Sequence, residues 1–214
     1  DLVCGGTGDD WLFGGDGPDH LSGGGGRDLI DGGAGADRIL GGEEADWIRA
    51  GASDDLVQAG AGDNTLLLGG EPDGHDGRDR YHAGSGGDRY LLAGDLGHDV
   101  IQGFRAAEGD RLVVLREGWS GAERLAALNG TELALRRQGA DLLLVLEEPG
   151  RPSRILLDDF FLLNPDHAAV APGRLGDAAA VPLLQAFLLD AAALEAEPAR
   201  AQPFLLGDLL SLLA

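Results

Sequence analysis

A nine-residue unit starts at Gly5 and repeats seven times without a gap, ending at Leu67. The first three copies read GGTGDDWLF, GGDGPDHLS and GGGGRDLID, and after the insert 68–73 the unit returns over 74–82, 83–91 and 94–102. A unit this short cannot bury a hydrophobic face alone, so its copies must stack into an elongated array. Residues 1–4 fit positions six to nine of a preceding unit, which predicts that the chain is the C-terminal part of a longer polypeptide.

Two positions of the unit keep one residue type along the array. The eighth position is always apolar, which predicts a short strand with its middle side chain directed inward, because successive side chains of a strand alternate between faces. The residues before the strand must turn the chain back, and glycine supplies the positive φ that such turns demand. Two units then make one turn of a flattened coil, so that units n and n+2 stack. The eighth-position residues are Leu12, Leu21, Ile30, Ile39, Ile48, Val57, Leu66, Tyr81, Tyr90 and Ile101.

The sixth position is acidic in all but one unit, where Asn64 replaces aspartate. Stacking would bring equivalent carboxylates to about 5 Å from one another, one strand spacing apart. Two such charges repel by roughly 1–3 kcal/mol at intermediate dielectric, and the repulsion recurs along the array. A hard dication between turns removes it, and calcium accepts six to eight oxygens from carboxylates and backbone carbonyls. The sequence therefore favours a calcium-binding array.

The unit resembles the G-G-x-G-x-D-x-U-x nonapeptide of RTX (repeats-in-toxin) proteins, a calcium-binding β-helix repeat. The resemblance implies an all-β parallel β-roll in which several Ca²⁺ ions lie between stacked loops, bound by sixth-position aspartates and loop carbonyls. The implied pairs are Asp1/Asp19, Asp10/Asp28, Asp19/Asp37, Asp28/Asp46 and Asp37/Asp55. The full set of implied ligands is Asp1, Asp10, Asp19, Asp28, Asp37, Asp46, Asp55, Asp79, Asp88, Asp99, Gly6, Gly8, Gly15, Gly17, Gly24, Gly26, Gly33 and Gly35.

Departures from the pattern predict weaker sites in the later repeats. Glu44 and Ser53 replace the fourth-position glycine, and Asn64 replaces an aspartate, which puts the sites near repeats five to seven in doubt. His75 and Asp95 take second-position glycine slots and weaken the last loops too.

The amino-acid composition limits the kinds of molecule that we expect the chain to bind. The formal net charge of −21 argues against nucleic acid, which would be repelled, and favours cations. The single cysteine excludes an intrachain disulfide, and no apolar run reaches the ~20 residues of a membrane-spanning helix. A glycine-rich flexible linker is the alternative, but a linker would not hold aspartate and an aliphatic residue in fixed phase.

Positions seven and nine should point outward. In the odd-numbered repeats they predict one apolar outer face, which would dock a further domain or stack sugars; scattered surface apolar groups are the alternative. This predicted aromatic face comprises Trp11, Phe13, Leu29, Trp47 and Leu67.

Few residues suggest other chemistry. His75 and His82 flank Asp76 and Asp79, a set that could bind zinc but is more simply read as solvated. Neither a His-Glu-x-x-His motif nor a Gly-x-Ser-x-Gly elbow occurs, so we expect no catalytic activity from this chain.

After Gly103 the glycines thin out and strand-like segments follow: 111–115, 131–137, 141–147 and 154–157, with a short helix over 122–128. This part resembles the antiparallel cap that follows RTX arrays in secreted bacterial proteases. An amphipathic C-terminal helix is predicted over 178–197, before Pro198. The last residues, 204–214, are similar to the signal of type I secretion substrates, or else form a helix that packs on the cap. We therefore predict three parts: a β-roll (1–103), an antiparallel β cap (104–166) and a helix with a secretion signal (167–214).

Together these features predict the calcium-binding C-terminal module of a secreted bacterial protein, extracellular and folded by calcium after type I export. Two alternatives stay open. The chain could be the tail of a secreted enzyme such as a metalloprotease or lipase, or a carbohydrate-binding or adhesive module like the repeat modules of alginate epimerases.

Overall fold

The computed structural model describes residues 1–69, 77–93, 96–114, 133–146, 152–175, 180, 183 and 188–190. The repeats form two facing sheets of parallel strands, and the chain passes from one sheet to the other at each glycine-rich loop. In the first array each strand pairs with the strand two units on, as Leu21 pairs with Ile39 and Ile30 with Ile48. The fold is therefore the predicted parallel β-roll, with two units per turn.

Sheet I contains the strands of one side of the roll, in the order β1-β3-β5-β7-β9-β11. They are β1 Leu2–Thr7, β3 His20–Gly25, β5 Arg38–Glu43, β7 Leu56–Ala61, β9 Arg80–Ser85 and β11 His98–Gln102. Sheet II contains the other side, in the order β2-β4-β6-β8-β10-β12. Its strands are β2 Trp11–Asp16, β4 Leu29–Ala34, β6 Trp47–Arg49, β8 Thr65–Leu68, β10 Arg89–Leu92 and β12 Arg111–Val114.

The core is the narrow space between the two sheets, filled by one inward side chain per unit. Each eighth-position residue from Leu12 to Ile101 is buried, which confirms the predicted inward direction. The core widens toward the C-terminal end, where Tyr90, Phe104 and Phe160 pack in sequence with ring centroids 5.9 and 6.0 Å apart.

The antiparallel part continues sheet I. Strands β13 Leu133–Gln138, β14 Asp141–Leu146 and β15 Ser153–Asp158 pair antiparallel, and β15 pairs in parallel with β11. The short strand β16 Gly173–Arg174 adds to β13, while helix α1 Phe160–Leu163 and a 3-10 turn over Pro165–His167 follow β15. The last strand of the roll is thus covered, as an exposed sheet edge requires.

Two segments differ from the prediction. Strand β12 was assigned to the antiparallel cap, but it pairs in parallel with β10 because residues 110–113 keep the repeat's Asp-x-apolar pattern. The helix predicted over 178–197 is wrong at Leu188–Asp190, which form strand β17 beside β12. Pairing with β17 satisfies backbone groups that an edge strand would leave open.

The predicted helix 122–128, most of the predicted C-terminal helix and the terminal segment 204–214 lie outside the described residues. Within the described part of the chain, no helix has the length and apolar character needed to cross a membrane.

Candidate metal sites between the stacked loops

Glycine at the second and fourth loop positions has a left-handed backbone and lets successive loops stack closely. Gly6 and Gly8 adopt φ of 110° and 102°, and Gly24 and Gly26 one turn later adopt 112° and 117°. A Cβ on Gly24 would overlap the carbonyl oxygen of Gly6, and one on Gly26 would overlap that of Gly8. Loop carbonyls therefore point at the next turn, as an oxygen-lined metal site requires. The same left-handed φ recurs at the other predicted loop ligands, Gly15, Gly17, Gly33 and Gly35.

The sixth-position side chains form two ladders, one along each side of the roll. In each ladder the backbone N–H of one residue donates to Oδ1 of the equivalent residue one turn later, as Asp10 does to Asp28 (2.9 Å) and Asp19 to Asp37 (2.8 Å). The structure therefore brings the predicted residues together in the predicted order. Asp1 lies at the exposed end, where its amino group contacts the Asp19 carboxylate. One ladder is Asp1, Asp19, Asp37, Asp55, Asp79, Asp99; the other is Asp10, Asp28, Asp46, Asn64, Asp88, Asp110.

The second oxygen of most ladder aspartates is buried but accepts no hydrogen bond from the described residues. Burying a carboxylate oxygen without a partner costs several kcal/mol, so native proteins rarely leave one in that state. Such oxygens recur along both ladders, and this arrangement points to bound cations. The atoms are the Oδ2 oxygens of Asp10, Asp19, Asp28, Asp37, Asp46, Asp55 and Asp88.

These oxygens face backbone carbonyls across a space that a first-position glycine leaves open. A Cβ on Gly5 would lie 2.6 Å from Oδ2 of Asp10 and 2.8 Å from the carbonyl oxygen of Gly23. Equivalent close approaches recur at Gly14, Gly23, Gly32 and Gly41. The donors are carboxylate and carbonyl oxygens only, without nitrogen or sulfur, and this set suits Ca²⁺ rather than zinc or copper. The first-position glycines were missed by the sequence analysis, although their recurrence was visible there.

Burial raises the pKa of these carboxyls. It raises the pKa of Asp46 to about 7 and that of Asp55 to about 8, with a smaller opposing effect from the backbone N–H groups of Asp28 and Asp37, respectively. Neighbouring carboxylates add to the increase in both cases. The pKa of Asp28 and that of Asp37 are raised by burial too. Without a cation, the folded roll therefore holds protons more tightly than the unfolded chain does.

This difference predicts an unusual pH dependence for the metal-free chain. Stability gained from a raised carboxyl pKa is present at low pH and is lost as the pH rises from about 4 toward 7 or 8. In calcium-depleted buffer, lowering the pH from 8 to 5.5 is expected to raise the melting temperature, measured by circular dichroism. With calcium present the effect should weaken or reverse, because protons then compete with the ion. A metal-free melting temperature that rises with pH would contradict this account of the ladders.

The predicted irregular repeats keep the ladder geometry. Glu44 occupies a left-handed position (φ 66°), and its Oε2 accepts the backbone N–H of Gly26 at 2.9 Å. Ser53 adopts φ 94° in the same slot of the next unit. Asn64 replaces a carboxylate, but its Oδ1 still accepts the N–H of Asp46 at 2.9 Å. The substitutions therefore change the charge of the loops and leave the backbone stacking in place.

Asp110 is a ladder member that the sequence analysis missed. It is buried, and its Oδ1 accepts the N–H of Asp88 at 3.0 Å, which places it one turn beyond that residue. The loop before it carries Arg105, Ala106 and Glu108 at the first, second and fourth positions, so its glycine pattern is lost. The remaining signal was the Asp-x-Leu spacing of 110–112.

The predicted aromatic face is wrong as a continuous exposed surface. Trp11 and Phe13 on the edge strand β2 are 72% and 56% exposed, whereas Trp47 is 3% exposed. Leu29 and Leu67 are buried as well, at 4% and 2% exposed. Of the predicted histidine set, His82 is exposed on the outer side of sheet I, and His75 lies outside the described residues.

A second acidic group lies in the antiparallel part. Carboxylate oxygens of Asp141, Asp158 and Asp159 lie within 4.8 Å of one another. The backbone N–H of Asp159 donates to Oδ1 of Asp141 at 2.9 Å, and Gln102 donates to Oδ2 of Asp158 at 3.2 Å. Their proximity follows from this turn, and they carry no buried oxygen comparable to those of the ladders.

Comparison with known proteins agrees with the repeat geometry. Residues 5–39 and 40–73 match the family model described as RTX calcium-binding nonapeptide repeat (4 copies). No curated protein sequence matches the chain significantly.

Two solved structures are similar at low identity. A subunit of the mannuronan C5-epimerase of Azotobacter vinelandii is 22% identical, with a TM-score of 0.33 over 94% of this chain and 88% of that one. An extracellular lipase of Serratia marcescens is 18% identical, with a TM-score of 0.27 over 69% of this chain. The match spans 36% of the lipase chain.

Proposed function

We propose that this chain, whose residues 5–73 carry RTX calcium-binding nonapeptide repeats, is a secreted module that calcium folds. The observation that carries the proposal is the row of buried Oδ2 oxygens that face backbone carbonyls across the first-position glycines. Such a row is costly in the absence of a cation and becomes a set of ligands in its presence. The chain acts by binding and folding, not by catalysis.

The ions would be held between consecutive turns by sixth-position carboxylates and loop carbonyls. The strongest candidates are Asp10/Asp28, Asp19/Asp37, Asp28/Asp46 and Asp37/Asp55, because each pair is hydrogen-bonded along a ladder. The predicted pair Asp1/Asp19 lies at the open end of the roll, where Asp1 is exposed. Bound calcium supplies positive charge and coordination to oxygens that the fold leaves without donors. Because the sites do not exist in the unfolded chain, binding energy becomes folding energy.

This linkage suits a protein that is exported before it folds. Extracellular calcium modules have dissociation constants of about 0.1–1 mM, far above the free calcium of a cytosol. Inside the cell, the net charge of −21 would keep the array expanded, and outside the cell calcium would fold it. Type I export to the extracellular space is the route that fits this sequence of events, with residues 204–214 as the signal.

The two alternatives are affected differently by the structure. A role as the C-terminal part of a secreted metalloprotease or lipase is compatible with the same calcium-dependent folding. A carbohydrate-binding or adhesive role retains Trp11 and Phe13 as exposed groups but loses Trp47, which is buried.

The Asp28→Asn variant tests the proposal. Asn64 shows that an amide at the sixth position still accepts the ladder hydrogen bond, so the variant should remove one anionic ligand and keep the fold. The calcium midpoint for folding is expected to rise by about tenfold, because ligand charge sets affinity in such sites. Calcium titration followed by circular dichroism measures this midpoint, and the spectrum at saturating calcium checks that the variant folds.

Asp16→Asn is the matched control, since it makes the same chemical change on an exposed residue outside the ladders. Its calcium midpoint should stay within roughly twofold of the parent, as expected for a screened surface charge. Equal midpoints for Asp28→Asn, Asp16→Asn and the parent chain would refute the assignment of the ladder as the calcium site.

A further inference from the structure

The two halves of the roll satisfy their ladder carboxylates in different ways. In the N-terminal section, strands β1–β6 (Leu2–Arg49), the ladder Oδ2 oxygens of Asp10, Asp19, Asp28, Asp37 and Asp46 accept no hydrogen bond from the described residues. In the C-terminal section, strands β8–β12 (65–114 as described), groups of the protein donate hydrogen bonds to the Oδ2 oxygens of some ladder aspartates. The Oδ2 oxygens of Asp79 and Asp110 accept hydrogen bonds there, whereas that of Asp88 accepts none from the described residues.

Two donors reach Oδ2 oxygens in the C-terminal section, and an amide in place of a carboxylate removes one negative charge. The hydroxyl of Tyr81 donates to Oδ2 of Asp79 at 3.2 Å, inside the core. The backbone N–H of Arg105 donates to Oδ2 of Asp110 at 2.6 Å. Asn64 replaces a carboxylate altogether, and its Nδ2 donates to Oδ1 of Asp88 at 3.1 Å. A hydrogen-bonded carboxylate has less need of a dication, and a neutral amide does not repel its neighbour.

The first position of the unit changes at the same boundary. Gly5, Gly14, Gly23, Gly32 and Gly41 leave the space beside the Oδ2 oxygens open. In the repeats that begin at 50, 59 and 83 this position is alanine, and Ala50, Ala59 and Ala83 are at most 1% exposed and belong to the hydrophobic core. A methyl group thus takes the place that faces the carboxylate oxygen in the earlier repeats.

Apolar burial is also distributed unevenly. Every residue of β8 and of β10 is buried, so these strands are covered on both faces. By contrast, in β4 of the same sheet only three of the six residues are buried, Leu29, Ile30 and Gly32. Because hydrophobic stabilisation scales with the apolar area removed from water, the C-terminal section is stabilised in a way that does not involve a metal.

We infer that the roll consists of a C-terminal section that folds without calcium and an N-terminal section that folds onto it only when calcium binds. The inference rests on the proposed calcium-dependent folding and adds where that dependence begins. The C-terminal section supplies paired strands and an existing ladder end, so each incoming turn stacks on a formed surface. The entropic cost of starting a roll from an unfolded chain is then avoided.

Hydrogen–deuterium exchange of the full chain, with calcium and with chelator, tests the inference. In chelator, amides of β1–β5 are expected to exchange at the rate of an unfolded chain, while those of β8, β10 and β12 keep their protection. Uniform loss of protection along the whole roll would overturn the inference and leave the proposed function standing. Protection that does not change anywhere on chelation would refute the proposed function itself.

Two tyrosine variants test the cause. Tyr81→Phe removes the hydroxyl that bonds to Asp79, and is expected to lower the protection of β9 and neighbouring strands in chelator by about ten- to a hundredfold, the effect of one hydrogen bond to a charged group. Tyr90→Phe is the matched control, because the Tyr90 hydroxyl is also buried but makes no hydrogen bond to a ladder carboxylate in the described part of the chain. Both variants should be fully protected at saturating calcium, which shows that they fold. Equal behaviour of the two variants in chelator would overturn the role assigned to Tyr81.

A compensating change completes the test. Asp79→Asn in the Tyr81→Phe background places an uncharged amide at the sixth position, as the chain already does at Asn64. It is expected to restore the protection lost in chelator, since the charge that the Tyr81 hydroxyl had stabilised is then absent. A double variant that stays as unprotected as Tyr81→Phe would show that the hydroxyl acts by packing, and would overturn the electrostatic basis of the inference.

Discussion

Removing calcium is expected to abolish the β-sheet structure of the first five repeats, and returning it to millimolar concentration should restore that structure. The reason is that five buried carboxylate oxygens on the N-terminal section have no donor among the described residues, while its core consists of one side chain per unit. The measurement is far-ultraviolet circular dichroism in chelator and in calcium. Magnesium should substitute poorly, because it demands tight octahedral geometry and gives up its water reluctantly.

Ionic strength has to be matched in this experiment. A chain with net charge −21 gains stability from simple screening, so sodium chloride at the same ionic strength provides the baseline. If folding depended on ionic strength alone and did not distinguish calcium from sodium, the ladder carboxylates would need only general charge screening. They would then not be specific ion sites.

Replacing Gly23 by alanine is expected to weaken calcium-dependent folding strongly. Its Cβ would overlap Oδ2 of Asp28 and lie 2.7 Å from the carbonyl oxygen of Gly41, so the turn must move away from both groups. Overpacking of this kind costs about 1–3 kcal/mol, and here it also displaces two proposed calcium ligands. We expect the calcium midpoint to rise by more than tenfold and the melting temperature in calcium to fall.

Gly25→Ala in the same strand is the matched control. The nearest atom to its added Cβ would be Oε2 of Glu44 at 3.9 Å, an ordinary contact, and Gly25 does not have a left-handed φ. Its calcium midpoint and melting temperature should stay close to those of the parent. If both alanine variants lost calcium-dependent folding equally, glycine would matter for chain flexibility, and the space beside Asp28 would have no special role.

The order in which the strands of the roll fold follows from differences in their apolar burial. Strands that are buried on both faces, such as β8 and β10, gain stability from apolar contact alone. Strands such as β3 and β5 bury one aliphatic side chain and one glycine each, and depend more on what binds between their loops. Calcium is therefore most important where apolar burial is smallest.

Much of the roll was determined by the sequence alone. The inward direction of Leu12, Ile30 and Ile48, the stacking of unit n on unit n+2, and the ladder order of Asp10 and Asp28 all follow from a nine-residue period. A period of this kind leaves one consistent solution, because the side chains of a strand alternate in direction and glycine is needed where the turns approach closely. The same local rules apply at each copy, so a short sequence window is enough to read them.

Only the tertiary structure decided the features that depend on distant parts of the chain. Strand β17 pairs with β12 although the two are far apart in sequence and no period links them. Trp47 is buried although its position in the unit predicts an outward side chain. Asp110 belongs to the ladder because of the strand that follows it, although its loop has lost the glycine pattern. The hydroxyl of Tyr81 reaches Asp79 only inside the folded core. Sequence determined the repeating geometry because its causes are local, and the fold decided which carboxylates find a donor because those contacts form only when the whole roll is assembled.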